Sequence, residues 1–133
     1  MKVPKDINLP NPIRRIWNKY NCAIGGLVLS TDPSLAEAVA LASFDWICLD
    51  MQHGWQGFET LPNTIQAVSL AGAILIARVS AYQTWLIDIA LDAGAYGVMV
   101  PLVNTEQQAK DAFAAYRYIS AGLEASVLTS QPR

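Results

Sequence analysis

Three residues able to move a proton or hold an anion stand near the ends of two short apolar runs. Asp50 and His53 lie in CLDMQHG (residues 48–54), and Arg78 lies in AILIARV (residues 73–79). His53 is the single histidine of the chain. On a continuing strand, residues three apart point to opposite faces. If the chain turns after Asp50, as Gly54 and Gly57 suggest, the two side chains meet. The carboxylate then holds one ring nitrogen and raises the basicity of the other, which makes a general base. The plainer alternative is that aspartate after a strand forms the turn and the histidine has no task. Spacing alone leaves both open. Arg78 closes a run of alanine, isoleucine and leucine, where a guanidinium is costly unless it meets a partner or an anion. Its planar fork suits a carboxylate or a phosphate. An ion pair with Asp50 on a neighbouring strand explains it equally well, and the two uses are compatible.

Other polar residues carry less. Glu37, Glu59, Asp88 and Asp92 fall on predicted helices and are expected to face solvent. No set of carboxylates is spaced as metal ligands. Gly25-Gly26 makes no phosphate-binding fingerprint, since no Gly-x-Gly-x-x-Gly run occurs. Trp46, Trp55 and Trp85 read as packing residues.

The elements that must position these residues alternate between two kinds. Apolar runs at 23–29, 45–50, 73–79 and 96–103 are predicted strands, and stretches at helical spacing follow each of them. Asp32 and Pro33 suit the N-cap and first position of one helix. A second spans 58–70 with Pro62 in its first turn, and a third spans 84–94 with Gly94 just past its end. Asn104 is the predicted cap of a fourth, with Gln107 at the capping-box position. A short helix over about 12–20 precedes them. The fold class is therefore α/β, with about four βα units joined by right-handed crossovers. Two architectures qualify: an open doubly wound sheet, or part of a (β/α)8 barrel, which typically needs about 250 residues. In both, ligands bind at the carboxyl ends of the strands, the rim where Asp50, Gln52, His53, Arg78, Pro101 and Asn104 fall. The segment ASVLT near the end reads either as a fifth strand or as an irregular tail.

Composition narrows the setting. At 133 residues, 53% hydrophobic and 15% charged, the chain suits one ordered domain with strands buried on both faces. A net charge of -2 gives no nucleic-acid surface. Lys2, Lys5, Arg14, Arg15 and Lys19 cluster near the start, as the solvated side of a first helix. That start has no apolar h-region, and Thr60 to Ala77, the longest uncharged run, is interrupted by Pro62, Asn63, Thr64 and Gln66. Neither a secretory signal nor a membrane span is expected. Cys22 and Cys48 make no disulfide framework or zinc site, so a cytoplasmic compartment is the default.

Three blocks together resemble a known family. FDWICLDMQHG (44–54), ARV (77–79) and ALDAGAYGVMVPLVNTEQQA (90–109) are similar to the HpcH/HpaI aldolases, the metal-dependent pyruvate aldolases with a (β/α)8 barrel. The resemblance runs over about residues 11–118. It implies reversible retro-aldol cleavage of a 4-hydroxy-2-oxo acid to pyruvate and an aldehyde. His53 would correspond to the acid/base, acting with Asp50 through a metal-bound water. Arg78 would stabilise the pyruvate enolate, with Gln52 beside it in the substrate site. A base, a cation and a metal together meet the demands of such a cleavage. The resemblance also implies a divalent metal (magnesium, manganese or cobalt), a small 2-oxo acid as partner, and a homo-oligomer. The family holds its metal with a glutamate and an aspartate on later strands, which this sequence does not contain. Residues 80–82 read SAY where many relatives have Pro-Trp-Asn, and residues 117–126 lack two prolines and an arginine of the family pattern. The expectation is a partial barrel over residues 1–118, truncated before the metal cradle, followed by a divergent tail over 119–133. Two alternatives accompany it: a catalytically silent half-barrel that associates or aggregates through open sheet edges, and a small anion-binding open α/β domain that keeps Arg78 without a metal.

Overall fold

The computed structural model describes residues 11–119 and 126–129, with the backbone alone at 117–119 and 126–129. Helix α1 (Pro12–Tyr20) leads into β1 (Gly25–Val28), α2 (Pro33–Ala40), β2 (Trp46–Asp50), α3 (Leu61–Leu70), β3 (Ile74–Arg78), α4 (Thr84–Asp92), β4 (Gly97–Val100), α5 (Glu106–Ile119) and β5 (Ser126–Thr129). Lys2, Lys5 and the tail apart from β5 lie outside the described residues.

Local chemistry sets most boundaries where the sequence placed them. The Asp32 carboxylate accepts the Ser34 N–H at 2.8 Å, and Pro33 opens α2. Asn11 caps α1 in the same way through Ile13, ahead of Pro12. Pro62 sits in the first turn of α3. Gly94 follows α4 at φ +106°, a left-handed geometry that favours glycine. The cap of α5 lies one residue beyond its predicted place. The Thr105 hydroxyl accepts the Gln108 N–H, while the Gln108 amide oxygen accepts the N–H groups of Asn104 and Thr105. The reciprocal pair is thus Thr105 and Gln108, since a threonine with a glutamine three residues on satisfies both ends of a capping box.

The sheet is parallel throughout, in the order β1-β2-β3-β4-β5. Segment 126–129 therefore takes the strand option, with Gly97 opposite Ser126 and Val100 opposite Thr129. Alternation along the strands sorts their side chains onto two faces. Ile47, Leu49, Leu75, Ala77, Val98 and Val100 join one apolar core with Ala36 of α2, Leu61 and Val68 of α3, Leu86 and Ala90 of α4, and Ala112 of α5. Cys48 and Ile76 belong to a separate, smaller cluster with Ile13 of α1, flanked by Trp17, Trp46, Ile74 and Met99. The four crossover helices therefore share one face, and α1 packs on the other. A doubly wound sheet places helices on both faces and reverses its strand order. Consecutive strands with all crossovers on one side make an arc of a (β/α) barrel, with α1 against its inner face.

Within that inner face the floor is tightly built. The Trp46 indole lies over Gly25, where a Cβ would come 2.1 Å from the ring, and its N–H donates to the Ala23 carbonyl at 3.3 Å. Arg14, Arg15 and Lys19 are exposed on α1, the solvated side expected of it.

Candidate functional site

The inner face changes character along β2 and β3. From the α1 end, β2 presents Trp46, Cys48 and Asp50, and β3 presents Ile74, Ile76 and Arg78, each residue opposite its counterpart in register. The last pair is ionic. Arg78 Nε donates to Asp50 Oδ1 at 2.8 Å, and Arg78 Nη2 donates to Asp50 Oδ2. Asp50 is fully buried, whereas Arg78 keeps 19% of its side chain exposed. The guanidinium is thus gripped by a buried carboxylate while the side chain as a whole stays partly exposed. Burial by itself would raise the Asp50 pKa. The Arg78 hydrogen bonds and two backbone N–H donors outweigh it and hold the carboxyl below the ordinary carboxylate range. The hydrogen bond to Asp50 likewise raises Arg78, so the pair is ionised at neutral pH. One layer down, burial pushes the Cys48 thiol up to about 12, which leaves it a packing group and no nucleophile.

The turn expected after Asp50 forms, and of the two arrangements that spacing leaves open the carboxylate takes the plainer one, an aspartate that builds the turn. Oδ1 accepts the backbone N–H of Gln52 at 2.9 Å and of His53 at 3.1 Å. With both oxygens also taken by Arg78, Asp50 holds the His53 main chain. Among the described residues no hydrogen bond joins it to the imidazole. The His53 ring stands exposed on the rim, and Gln52 is half-buried beside it. Structure thus brings Asp50, Arg78, Gln52 and the His53 backbone together, and leaves the His53 side chain to solvent.

Three further features hold this loop in place. A Cβ on Gly54 would come 2.2 Å from the Asp50 carbonyl oxygen and 2.9 Å from that of Leu29, so only glycine fits between the two strand ends. Trp55 N–H donates to the Leu29 carbonyl at 2.8 Å. Gln56, 5% exposed, sends its amide to the Ser30 carbonyl and the Thr64 hydroxyl and accepts from the Thr60 hydroxyl. Gln56 has no signature in the sequence, because a glutamine between two glycines reads as ordinary loop. Of the tryptophans, Trp46 packs as expected. Trp55 is 85% exposed, and Trp85 pairs with Phe58 at 5.2 Å between ring centroids while remaining half exposed. Trp55 is thus turned outward by the same loop path that ties its N–H to β1.

A groove of about 510 Å3 runs beside β1, lined by residues such as Leu27, Leu29, Leu35, Val39 and Trp55. None of Asp50, His53 and Arg78 lines it, so it is separate from the ionic rim. Among the described residues, no group of three or more His, Cys, Asp or Glu could hold a metal ion. Asp50, the acidic group nearest the rim, is already saturated by Arg78 and two N–H donors. The described residues therefore do not make a metal cradle. No helix among them is long and apolar enough to cross a membrane.

Comparison with known proteins agrees with this arrangement. Residues 24–130 match the HpcH/HpaI aldolase/citrate lyase family. The 2-dehydro-3,6-dideoxy-6-sulfogluconate aldolase of Pseudomonas putida is 38% identical over 104 residues, which are 78% of this chain and 41% of that protein. The hydroxypyruvate/pyruvate aldolase of Rhizorhabdus wittichii is 34% identical over 113 residues, 85% of this chain and 45% of that one. A crystal structure of an HpcH/HpaI aldolase/citrate lyase family protein from Burkholderia cenocepacia superposes with a TM-score of 0.75 at 29% identity, over 88% of this chain and 48% of that one. The chain spans less than half the length of these relatives.

Proposed function

The chain belongs to the HpcH/HpaI aldolase/citrate lyase family, and from that premise we propose that it acts in carbon–carbon bond cleavage of 4-hydroxy-2-oxo acids, releasing pyruvate and an aldehyde. The observation that carries the reading is the guanidinium of Arg78. It is fixed by the buried Asp50 at the carboxyl end of β3, and the Arg78 side chain stays partly exposed. A 2-oxo acid presents a carboxylate and, during cleavage, a developing enolate oxygen, and a charged planar fork serves both. The named relatives are aldolases of 2-oxo or keto acids, a substrate class that fits this cation.

In this reading His53 is the base. It takes the proton of the C4 hydroxyl, the C3–C4 bond breaks, and the electron pair passes into the enolate that Arg78 stabilises. Returning a proton to C3 gives pyruvate. Asp50 acts through its neighbours, aligning Arg78 with one set of bonds and the His53 main chain with another. Gln52, whose backbone N–H is held by the same carboxylate, would line the substrate site in this reading. A divalent cation such as magnesium, manganese or cobalt would polarise the same oxygens. The described residues do not hold one, so no step is assigned to it. Residence in the cytoplasm accords with Cys22 and Cys48 both being free thiols. Self-association through β1 accords with its pairing, which among the described residues involves β2 alone.

The test is pyruvate release from 4-hydroxy-2-oxo acids by the purified chain, with each metal added in turn. The proposal expects turnover that His53→Ala and Arg78→Lys abolish. Absence of turnover with retained binding of pyruvate would favour an anion-binding role instead.

A further inference from the structure

We propose that Gln56 is the positioning residue of the rim, the group that fixes the loop from which His53 projects. The inference rests on the reading of His53 as the base. Its geometric part stands without it.

A single buried amide joins three elements here. Gln56 Nε2 donates to the carbonyl of Ser30, beyond β1, and to Thr64 Oγ1 in α3 at 3.2 Å. Its Oε1 accepts from Thr60 Oγ1 at 3.0 Å, and that hydroxyl in turn accepts the Gly57 N–H at 3.1 Å. Thr64 is itself fully buried. Removing the amide would take one partner each from the half-buried Ser30 carbonyl and from the buried Thr64 hydroxyl, which keeps its bond to the Thr60 carbonyl at 3.1 Å. On its other side, the loop is held by the Asp50 bond to the His53 N–H and the Leu29 bond to the Trp55 N–H. His53 therefore lies between Asp50 before it and two anchors after it, the Trp55 N–H on Leu29 and the Gln56 side chain. With Gln56 removed, the loop after His53 keeps the Trp55–Leu29 backbone bond but loses its side-chain tether, and a base displaced by about 1 Å loses much of its rate. The Arg78 fork is bonded to Asp50 on β2 and receives nothing from Gln56, so loss of Gln56 acts on base placement and leaves the Arg78 ion pair in place.

The separation makes the proposal testable by two independent readouts on the full chain. In Gln56→Leu, hydrogen exchange at the His53 and Trp55 amides is expected to accelerate about tenfold or more, with Cys48 and Ala77 in the sheet unchanged. In turnover of 4-hydroxy-2-oxo acids, kcat is expected to fall about tenfold or more with KM within about threefold. Thr64→Val, which deletes one partner and keeps the shape, should move both readouts the same way by less. It decides the question if Gln56→Leu does not fold. Unchanged exchange at His53 and Trp55 would overturn the proposal. So would a loss of protection shared equally by Cys48 and Ala77, or a rise in KM with kcat intact. If the wild-type chain turns nothing over, the aldolase reading fails, and exchange alone still decides the role of Gln56.

Discussion

The ten residues of β2 and β3 divide between two faces that do opposite things. Toward the helices, Ile47, Leu49, Leu75 and Ala77 are fully buried in one continuous apolar core. Toward α1, the side chains grade from indole and isoleucine through Cys48 and Ile76 to an ion pair at the rim. One face carries stability in bulk. The other uses a small apolar floor to hold a charge pair where strand ends meet solvent. The lesson is a division by parity: one register of the alternation fills the main core, and the other ends in the ion pair at the rim.

The largest effect should come from the helix-facing side. Leu75→Ala is expected to destabilise by about 2–5 kcal/mol in urea unfolding, the range for a truncated buried leucine. Ile74→Ala, a half-buried residue on the inner face, should cost less. Equal losses would erase the distinction between the faces.

Asp50→Ala comes next. It strands the Arg78 guanidinium and two backbone N–H groups, and should destabilise by about 2–3 kcal/mol. That lies below the cost of breaking a wholly buried pair, because the Arg78 side chain is partly exposed. The same carboxylate sets a pH dependence. Its folded pKa is lowered, so the unfolded chain binds more protons in the window below the ordinary aspartate value, near 4. Its stabilisation is complete above that value and lost as pH falls through the folded pKa. Acid unfolding followed by circular dichroism should show a steeper fall for wild type than for Asp50→Asn.

The smallest effect on stability should be at His53, whose ring is exposed. His53→Ala is expected to change it by no more than about 0.5 kcal/mol, while lowering turnover by about 10²–10⁴-fold if the imidazole is the base. A large loss of stability would move His53 from the rim's chemistry to its scaffold.

Much of this was legible in the residues. Periodicity and helix caps gave the alternation of strands and helices, since Asp32-Pro33 and Gly94 have few other conformational uses. The choice between barrel and doubly wound sheet was not legible. It depends on which face each helix packs against, a tertiary fact that the resemblance implied and the two core clusters established. The Asp50–Arg78 pair was one of the two uses the sequence offered for Arg78, since a guanidinium ending an apolar strand is costly without a partner or an anion. The use of Asp50 toward His53 was not legible. Spacing cannot distinguish a bond to an imidazole from a bond to the backbone N–H of the same residue. Gln56 was invisible for a related reason: its partners Ser30 and Thr64 become neighbours only when β1, the loop and α3 are assembled.

The central claim is that Arg78, locked by Asp50, reads the carboxylate of a 2-oxo acid. Calorimetric titration of the chain with oxalate, a planar mimic of the pyruvate enolate, tests it most directly when wild type is set beside Arg78→Lys. The lysine keeps the charge and loses the fork. The account predicts saturable binding to wild type and at least about tenfold weaker binding to the variant. Equal affinity in the two proteins would contradict it.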